Sequence, residues 1–314
     1  MSFGSAVTAD DVPEYLKSVR GGREPSPEVV EEFQRRYRLI GRSPLVDITR
    51  QQATALQALL DSELAPGHYL VEIGMLHSPP GIGDALLRLS SARVEHIIAL
   101  VLAPQFSPII MAGYLRALER FGEEIGGTER VTLVGDWHAQ PAFIDALADK
   151  LEEGLEAFGD RRDRVPVIFT AHSLPRSVVD RDGNYIAQIL DTVELVAARA
   201  CLPRSRWQFA YQSAGHTPEE WLKPDFKDLL PELRVSGHRE VLIVPTQFLA
   251  DHLEVLYDID IAGRQEAEAE GITFRRIGMP NVSPLLIRAL ANLVTGEGDS
   301  RHRARRENLP ASRR

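Results

Sequence analysis

The sequence predicts an α/β protein in which parallel sheets are flanked by helices, arranged as two similar halves. Three observations predict it. Short apolar, β-branched runs recur at 69–75, 96–103, 131–135, 165–171, 207–212, 240–245 and 272–277. Segments of helical periodicity lie between most of them, which is the alternation that builds parallel sheets. After the first, the runs follow one another at roughly the 30 to 40 residues of a βα unit.

Taken in order, each element has a local cause. Thr8 followed by Asp11 is an N-terminal capping pattern ahead of Val12, Tyr15 and Leu16. Leu56, Leu59 and Leu60 form one apolar helix face, and Ile189, Val193 and Val196 another. The polar stretch 159–164 reads as a link between the halves. The run 165–171 stops at Thr170-Ala171-His172-Ser173, and Pro175 prevents immediate helix formation, so His172 sits at the carboxyl end of a strand. Thr217-Pro218-Glu219-Glu220 offers an N-cap, a proline at the first helical position and carboxylates behind it. Ser283-Pro284 does the same before 285–294.

Composition narrows the function classes. The chain has 314 residues, 44% of them hydrophobic and 26% charged, which suits a soluble globular protein. Its net charge of -9 argues against a nucleic-acid binder. One cysteine, Cys201, cannot form an internal disulfide, a zinc knuckle or a Cys-ligated iron–sulfur cluster. No apolar stretch approaches the ~20 residues that span a bilayer, and the N-terminus lacks a signal-peptide pattern. A cytoplasmic protein is expected. Residues 297–314 are basic and poor in apolar side chains, and read as a disordered, solvated tail.

Polar groups gather at strand ends: His77, His172, the stretch 211–216 with His216, and Thr246-Gln247. Open α/β sheets bind ligands at the carboxyl ends of their strands, so two facing halves would form a cleft there. In "ADHLEVLYDID", Asp251, Glu254 and Asp258 are spaced i, i+3, i+7 and would share one α-helical face. A cation would relieve their mutual repulsion. From the residues alone, a solvated acidic face and a hydrogen-bonded structural histidine explain these features at least as well. Gly81-Ile82-Gly83 is a poor dinucleotide fingerprint, and GxxxxGK[ST], HExxH and GxSxG are absent.

Longer motifs add to this. "AHSLP", "YQSAGHTPEEWLKPD", "PTQFLADHLEVLYDID" and "GMPN" occur in that order, behind "VRGGREPSPEVVEEFQRRYRLIGRSPLVDITRQQA", "IGMLHSPPGIGDAL" and "LVLAPQFSPIIMAGY". This set resembles the ferrochelatases, particularly the coproporphyrin III ferrochelatases of Gram-positive-type bacteria, over nearly the whole chain except the tail. The resemblance implies two Rossmann-like halves around a porphyrin cleft: residues 1–160 with the helix 283–295 packing back on them, and 161–282. It implies insertion of Fe(II), as substrate, into a porphyrin, most simply coproporphyrin III giving coproheme in haem biosynthesis. No redox cofactor is needed, and the product implies transient contact with another haem-pathway enzyme.

By motif position the resemblance makes His172 the catalytic histidine and Glu254 its partner, both on the metal's path, with Asp258 an outer carboxylate. Arg20, Arg36, Tyr37, Ser43 and Tyr114 match positions that contact the porphyrin and its propionates. Met75, Phe106, Trp221 and Phe248 would be apolar walls. The chemistry agrees. A neutral imidazole binds Fe(II) or accepts a pyrrole proton near neutral pH. Carboxylates relay protons and attract a dehydrating cation.

Three positions depart from the family's pattern. Phe3 stands where coproporphyrin-type members often carry an iron-ligating tyrosine. Gly21 follows Arg20 where a second arginine can occur, and Ala262 lies one turn beyond Asp258 where another carboxylate can occur. Relatives also carry several apolar residues ahead of the Ser2-Phe3-Gly4 stretch; either the start is mis-assigned or the first half is weakened by ~1.5–3 kcal/mol for each buried aliphatic lost. Two other readings share these residues: a catalytically weak porphyrin- or haem-binding protein, and a chelatase for another tetrapyrrole or metal such as cobalt or nickel.

Overall fold

The structure, a computed structural model, describes residues 1–180, 183–215, 219–296 and 307–308. The chain divides into two compact units, Met1–Pro141 with Asn281–Arg314, and Ala142–Pro280. The tail at 297–306 and 309–314 lies outside the described residues, as does the cap Thr217-Pro218.

A 3-10 turn, Ala9–Asp11, opens the first unit. The Asp11 carboxylate accepts from the Thr8 backbone N–H at 2.8 Å and from its hydroxyl at 2.9 Å, the capping pattern expected there. Helices α1 (Val12–Val19), α2 (Pro27–Ile40), α3 (Leu45–Glu63) and α4 (Ile82–Ser91) follow. They lead to strand β1 (Ile97–Leu100), helix α5 (Pro108–Arg120) and strand β2 (Val131–Val134). Strands β1 and β2 pair in parallel, and all four residues of β2 are buried.

The run 69–75 is not a full strand. Only Met75 bridges, to Ser2 and to Gly81. A strand exists only where a ladder partner takes its backbone groups. Here the partner is Ser2-Phe3: Ser2 N–H donates to Gly74 O, Leu76 N–H to Ser2 O and His77 N–H to Phe3 O, at 2.9–3.0 Å. Further back the side chain of Gln57 stands in, accepting from Val71 N–H at 2.9 Å and donating to Tyr69 O at 3.0 Å.

The second unit holds helix α6 (Pro141–Glu156), strand β3 (Val167–His172), the short helix α7 (Arg176–Val179), helix α8 (Gly183–Arg199) and strand β4 (Trp207–Gln212). Helix α9 (Leu230–Val235) and strand β5 (Glu240–Pro245) come next. A π-helix, Glu254–Gly263, then runs into helix α10 (Arg264–Ala269) and strand β6 (Thr273–Arg276). The strands pair in parallel in the order β4-β3-β5-β6.

Two boundaries differ from the sequence reading. The units divide at Pro141, not near 160, because α6 belongs to the second sheet: its Gly154 lies so close to Leu242 and Ile277 that a Cβ would meet Ile277 at 3.0 Å. The stretch 159–164 therefore lies inside the second unit, where Arg161 grips Glu240 at 2.7 and 3.0 Å. The described part of the helix expected from 217 is extended instead. Its backbone is taken by residues 174–176, through Arg176 N–H to Glu220 O at 2.8 Å and Leu222 N–H to Leu174 O at 3.0 Å.

The chain ends its described course in the first unit. Helix α11 (Pro284–Thr295) is capped by Ser283, whose hydroxyl accepts from Leu286 N–H at 3.3 Å. It packs along α3, and Gln52 of α3 donates to Asn281 O at 2.7 Å. In the tail, expected to be wholly unstructured, the two-residue strand β7 (Glu307–Asn308) pairs antiparallel with β2.

Phe169, fully buried in β3, meets the Trp207 ring edge-on at 5.4 Å. Phe169→Ala is expected to destabilise the protein by about 3–5 kcal/mol in urea denaturation. Leu190→Ala, at a position 39% exposed on α8, should change stability by less than about 0.5 kcal/mol.

Candidate active site

The strand order of the second sheet fixes where a site can form. From β3 the chain moves to β4 on one side, then crosses to β5 on the other. The switch point lies between β3 and β5, and their carboxyl ends frame the crevice where such sheets bind ligands. His172 is the last residue of β3, and the segment after β5 carries Glu254.

The backbone is pinned on both sides of that point. Thr246 N–H donates to Thr170 O at 2.9 Å, and His172 N–H donates to the Gln247 side-chain oxygen at 2.9 Å. The Gln247 amide in turn donates to the Tyr185 hydroxyl. On the β4 side, Ser173 N–H donates to Gln212 O at 2.7 Å. His172 is thus held from β4 and from β5 together.

The imidazole of His172 is oriented by its own chain. Its Nδ1 hydrogen-bonds the Ser173 carbonyl, which can only accept, so Nδ1 carries the proton. Nε2 is left to face Glu254, whose Oε2 lies 3.6 Å away. His252 has the same arrangement from the opposite direction. Its Nδ1 donates to Ala250 O at 3.0 Å, and its Nε2 lies 3.8 Å from the same Oε2 of Glu254. The Phe248 ring packs against His252 with centroids 4.4 Å apart. Trp221 stands 6.5 Å from the His172 ring.

One carboxylate oxygen therefore sits between two imidazoles. Burial alone would raise the Glu254 pKa, but the charges of His172 and His252 outweigh it and lower it to about 2. Burial likewise opposes charge on His252, yet its contacts with Glu254 leave its pKa raised. Such a set can accept a proton and can offer nitrogen and oxygen donors to a divalent ion. Among the described residues, no three such side chains close into a metal cage.

The π-helix changes the expected acidic face. Its wider turn keeps Glu254 and Asp258 on successive turns, both partly exposed. Asp251 is not on that face. It precedes the helix and binds Arg276 at 2.7 Å. Sequence reasoning places Gln247 at a strand end but misses His252 and Arg276. His252 was in plain view within "ADHLEVLYDID", but α-helical spacing does not bring it to Glu254.

The residues expected to meet a porphyrin in the first unit divide into two groups. Tyr37 and Ser43 are buried and joined through Ser5, whose hydroxyl lies 2.8 Å from the Tyr37 hydroxyl and 2.9 Å from that of Ser43. Tyr114 is buried too, and burial raises its pKa. Arg20 is exposed. Arg36 holds Glu32 at 2.8 Å and covers the Phe33 ring. Phe3 is exposed and its ring meets His77 at 4.6 Å, while His77 Nδ1 lies 3.0 Å from the Ser18 hydroxyl. Of the expected apolar walls, Met75 is buried, and Phe106 and Phe248 are half-buried.

A parallel sheet with a histidine and a carboxylate at its switch point makes this an α/β protein with a ligand site at its strand ends. Solved structures agree on the fold: SirB from Bacillus subtilis with Fe3+ aligns with a TM-score of 0.57 at 12% identity, covering 83% of this chain and 94% of that one. The cobalt complex of the sirohydrochlorin chelatase SirB gives 0.53 at 13% identity, covering 83% of this chain and 93% of that one. The Ferrochelatase family model matches residues 1–297, and the chain belongs to the ferrochelatase family, lyases that insert iron into a porphyrin. It is 39% identical to a ferrochelatase of Herpetosiphon aurantiacus over 95% of this chain and 97% of that one. It is 35% identical to a coproporphyrin III ferrochelatase of Geobacillus thermodenitrificans over 94% and 93%. No helix among the described residues is long and apolar enough to cross a membrane.

The electrostatics set a pH window. The lowered Glu254 stabilises the folded chain above its ordinary value of 4.5, and that contribution is lost as pH falls toward about 2. The raised His252 contributes below its ordinary 6.5, and that contribution is lost as pH rises through its folded value. The stability difference between wild type and Glu254→Gln should therefore peak between pH 4.5 and 6.5 and narrow on either side. Urea denaturation at stepped pH checks this.

Proposed function

We propose that this ferrochelatase acts on coproporphyrin III and releases coproheme. One observation carries the chemistry: the Nε2 of His172 faces Glu254 Oε2 at 3.6 Å at the switch point of the second sheet. Iron enters as Fe(II) and stays Fe(II), and two pyrrole protons leave, so no redox cofactor takes part. His172 accepts a pyrrole proton through Nε2, the nitrogen its Ser173 bond leaves open. Glu254, ionised at neutral pH, stabilises the resulting imidazolium and draws the cation in. Asp258, one turn further along, extends the anionic path.

The substrate assignment rests on two supports. Relatives from Geobacillus and Anoxybacillus, 34–35% identical over nearly the whole chain, are coproporphyrin III ferrochelatases. Arg20 is exposed and suits a peripheral propionate, of which coproporphyrin has four. Arg36, Tyr37, Ser43 and Tyr114 belong to the same proposed porphyrin set. Phe3 cannot ligate iron, so the product's iron takes no ligand at that position.

Anaerobic insertion of Fe(II), followed by the shift of the Soret band, tests this directly. Coproporphyrin III should be turned over with a higher kcat/KM than protoporphyrin. Equal or reversed preference would remove the substrate assignment, and tight porphyrin binding without insertion would remove the catalytic one. His172→Ala should lower kcat by at least about 10²-fold, the low end for a general base. Glu254→Gln should slow insertion while porphyrin affinity, read by fluorescence quenching, stays within about twofold of wild type.

A further inference from the structure

The segment carrying Glu254 is fastened at two points by one side chain. Arg276 is the last residue of β6, at the carboxyl edge of the second sheet, and its side chain is 13% exposed. Its Nε and one terminal nitrogen donate to the two oxygens of Asp260, each at 2.8 Å. The same terminal nitrogen donates to Asp251 at 2.7 Å, and the other donates to Ile277 O at 2.8 Å. Asp251 lies before the π-helix and Asp260 inside it, so the two anchors bracket Glu254 and Asp258.

We infer that Arg276 is a positioning residue for iron insertion: it clamps the π-helix at Asp251 and Asp260 and so sets the approach of Glu254 to His172. This rests on the reading of His172 and Glu254 as the insertion site. π-helical turns are rare and frequently occur at functional sites. Here the register is fixed from outside, by a planar fork that a lysine cannot reproduce. Burial works against charge on Arg276, but Asp260 and Asp251 outweigh it, so the clamp stays ionised. The two anchor carboxylates are engaged by the guanidinium, which separates them in role from Glu254.

A positioning role has a kinetic signature that a purely structural one lacks. In Arg276→Met, kcat for Fe(II) insertion should fall by roughly 10²-fold, the loss expected for about 1 Å of misplacement. The porphyrin KM should stay within about twofold, because no porphyrin contact is touched. Arg276→Lys, which keeps the charge and loses the fork, should recover part of the rate. In a Glu254→Gln background, adding Arg276→Met should cost little more, since Arg276 acts through Glu254. If Arg276→Met does not fold, Arg276→Lys and Asp260→Asn carry the same test. A folded variant with wild-type kcat, or full additivity with Glu254→Gln, would overturn the inference. Absence of insertion by the wild-type protein would instead overturn the functional reading on which it rests.

Discussion

The site depends on the parallel pairing of β3 with β5. This pairing sets two strand ends side by side at the one place in the second sheet where the strand order reverses. A strand on either side of β3 would do for stability; only this order leaves a crevice above the boundary. Thr170 O, the His172 N–H and the Gln247 side chain then tie the two ends together. The imidazole is delivered by strand geometry, not by a loop that must be ordered separately. That makes its position as rigid as the buried core beneath it, where Ile168, Val241 and Ile243 are almost fully enclosed.

Glu254 meets that histidine under a different constraint. Its carboxylate lies between two Nε2 atoms, each freed by an Nδ1 bond to a nearby backbone carbonyl. The backbone thus chooses the tautomers, and the tautomers choose the charge pattern. A carboxylate kept ionised beside two imidazoles is well matched to a reaction in which protons leave and a dication arrives. The price of holding three titratable groups together is met by the segment's anchoring to β6 through Arg276.

Much of this was legible in the residues. The β-branched runs marked β1 to β6, and Pro175 placed His172 at a strand end. The family resemblance, carried by motifs on both sides of residue 240, implied Glu254 as its partner. The failures have physical causes. Residues 69–75 have strand composition, but a ladder needs a partner, and Ser2-Phe3 supplies only a short one. The polar stretch 159–164 reads as a linker, although its Arg161 is bound to Glu240. The acidic face around Glu254 was drawn on an α-helix. Asp251 and His252 lie ahead of the π-helix, where they reach Arg276 and Glu254, and apolar periodicity does not encode that placement.

The central claim is that the metal is handled between His172 and Glu254. Crystals soaked anaerobically in Co(II), with anomalous diffraction recorded at the cobalt edge, test it most directly. The account predicts an anomalous peak within bonding distance of His172 Nε2 and Glu254 Oε2. A peak in the second unit that avoids both atoms would contradict it.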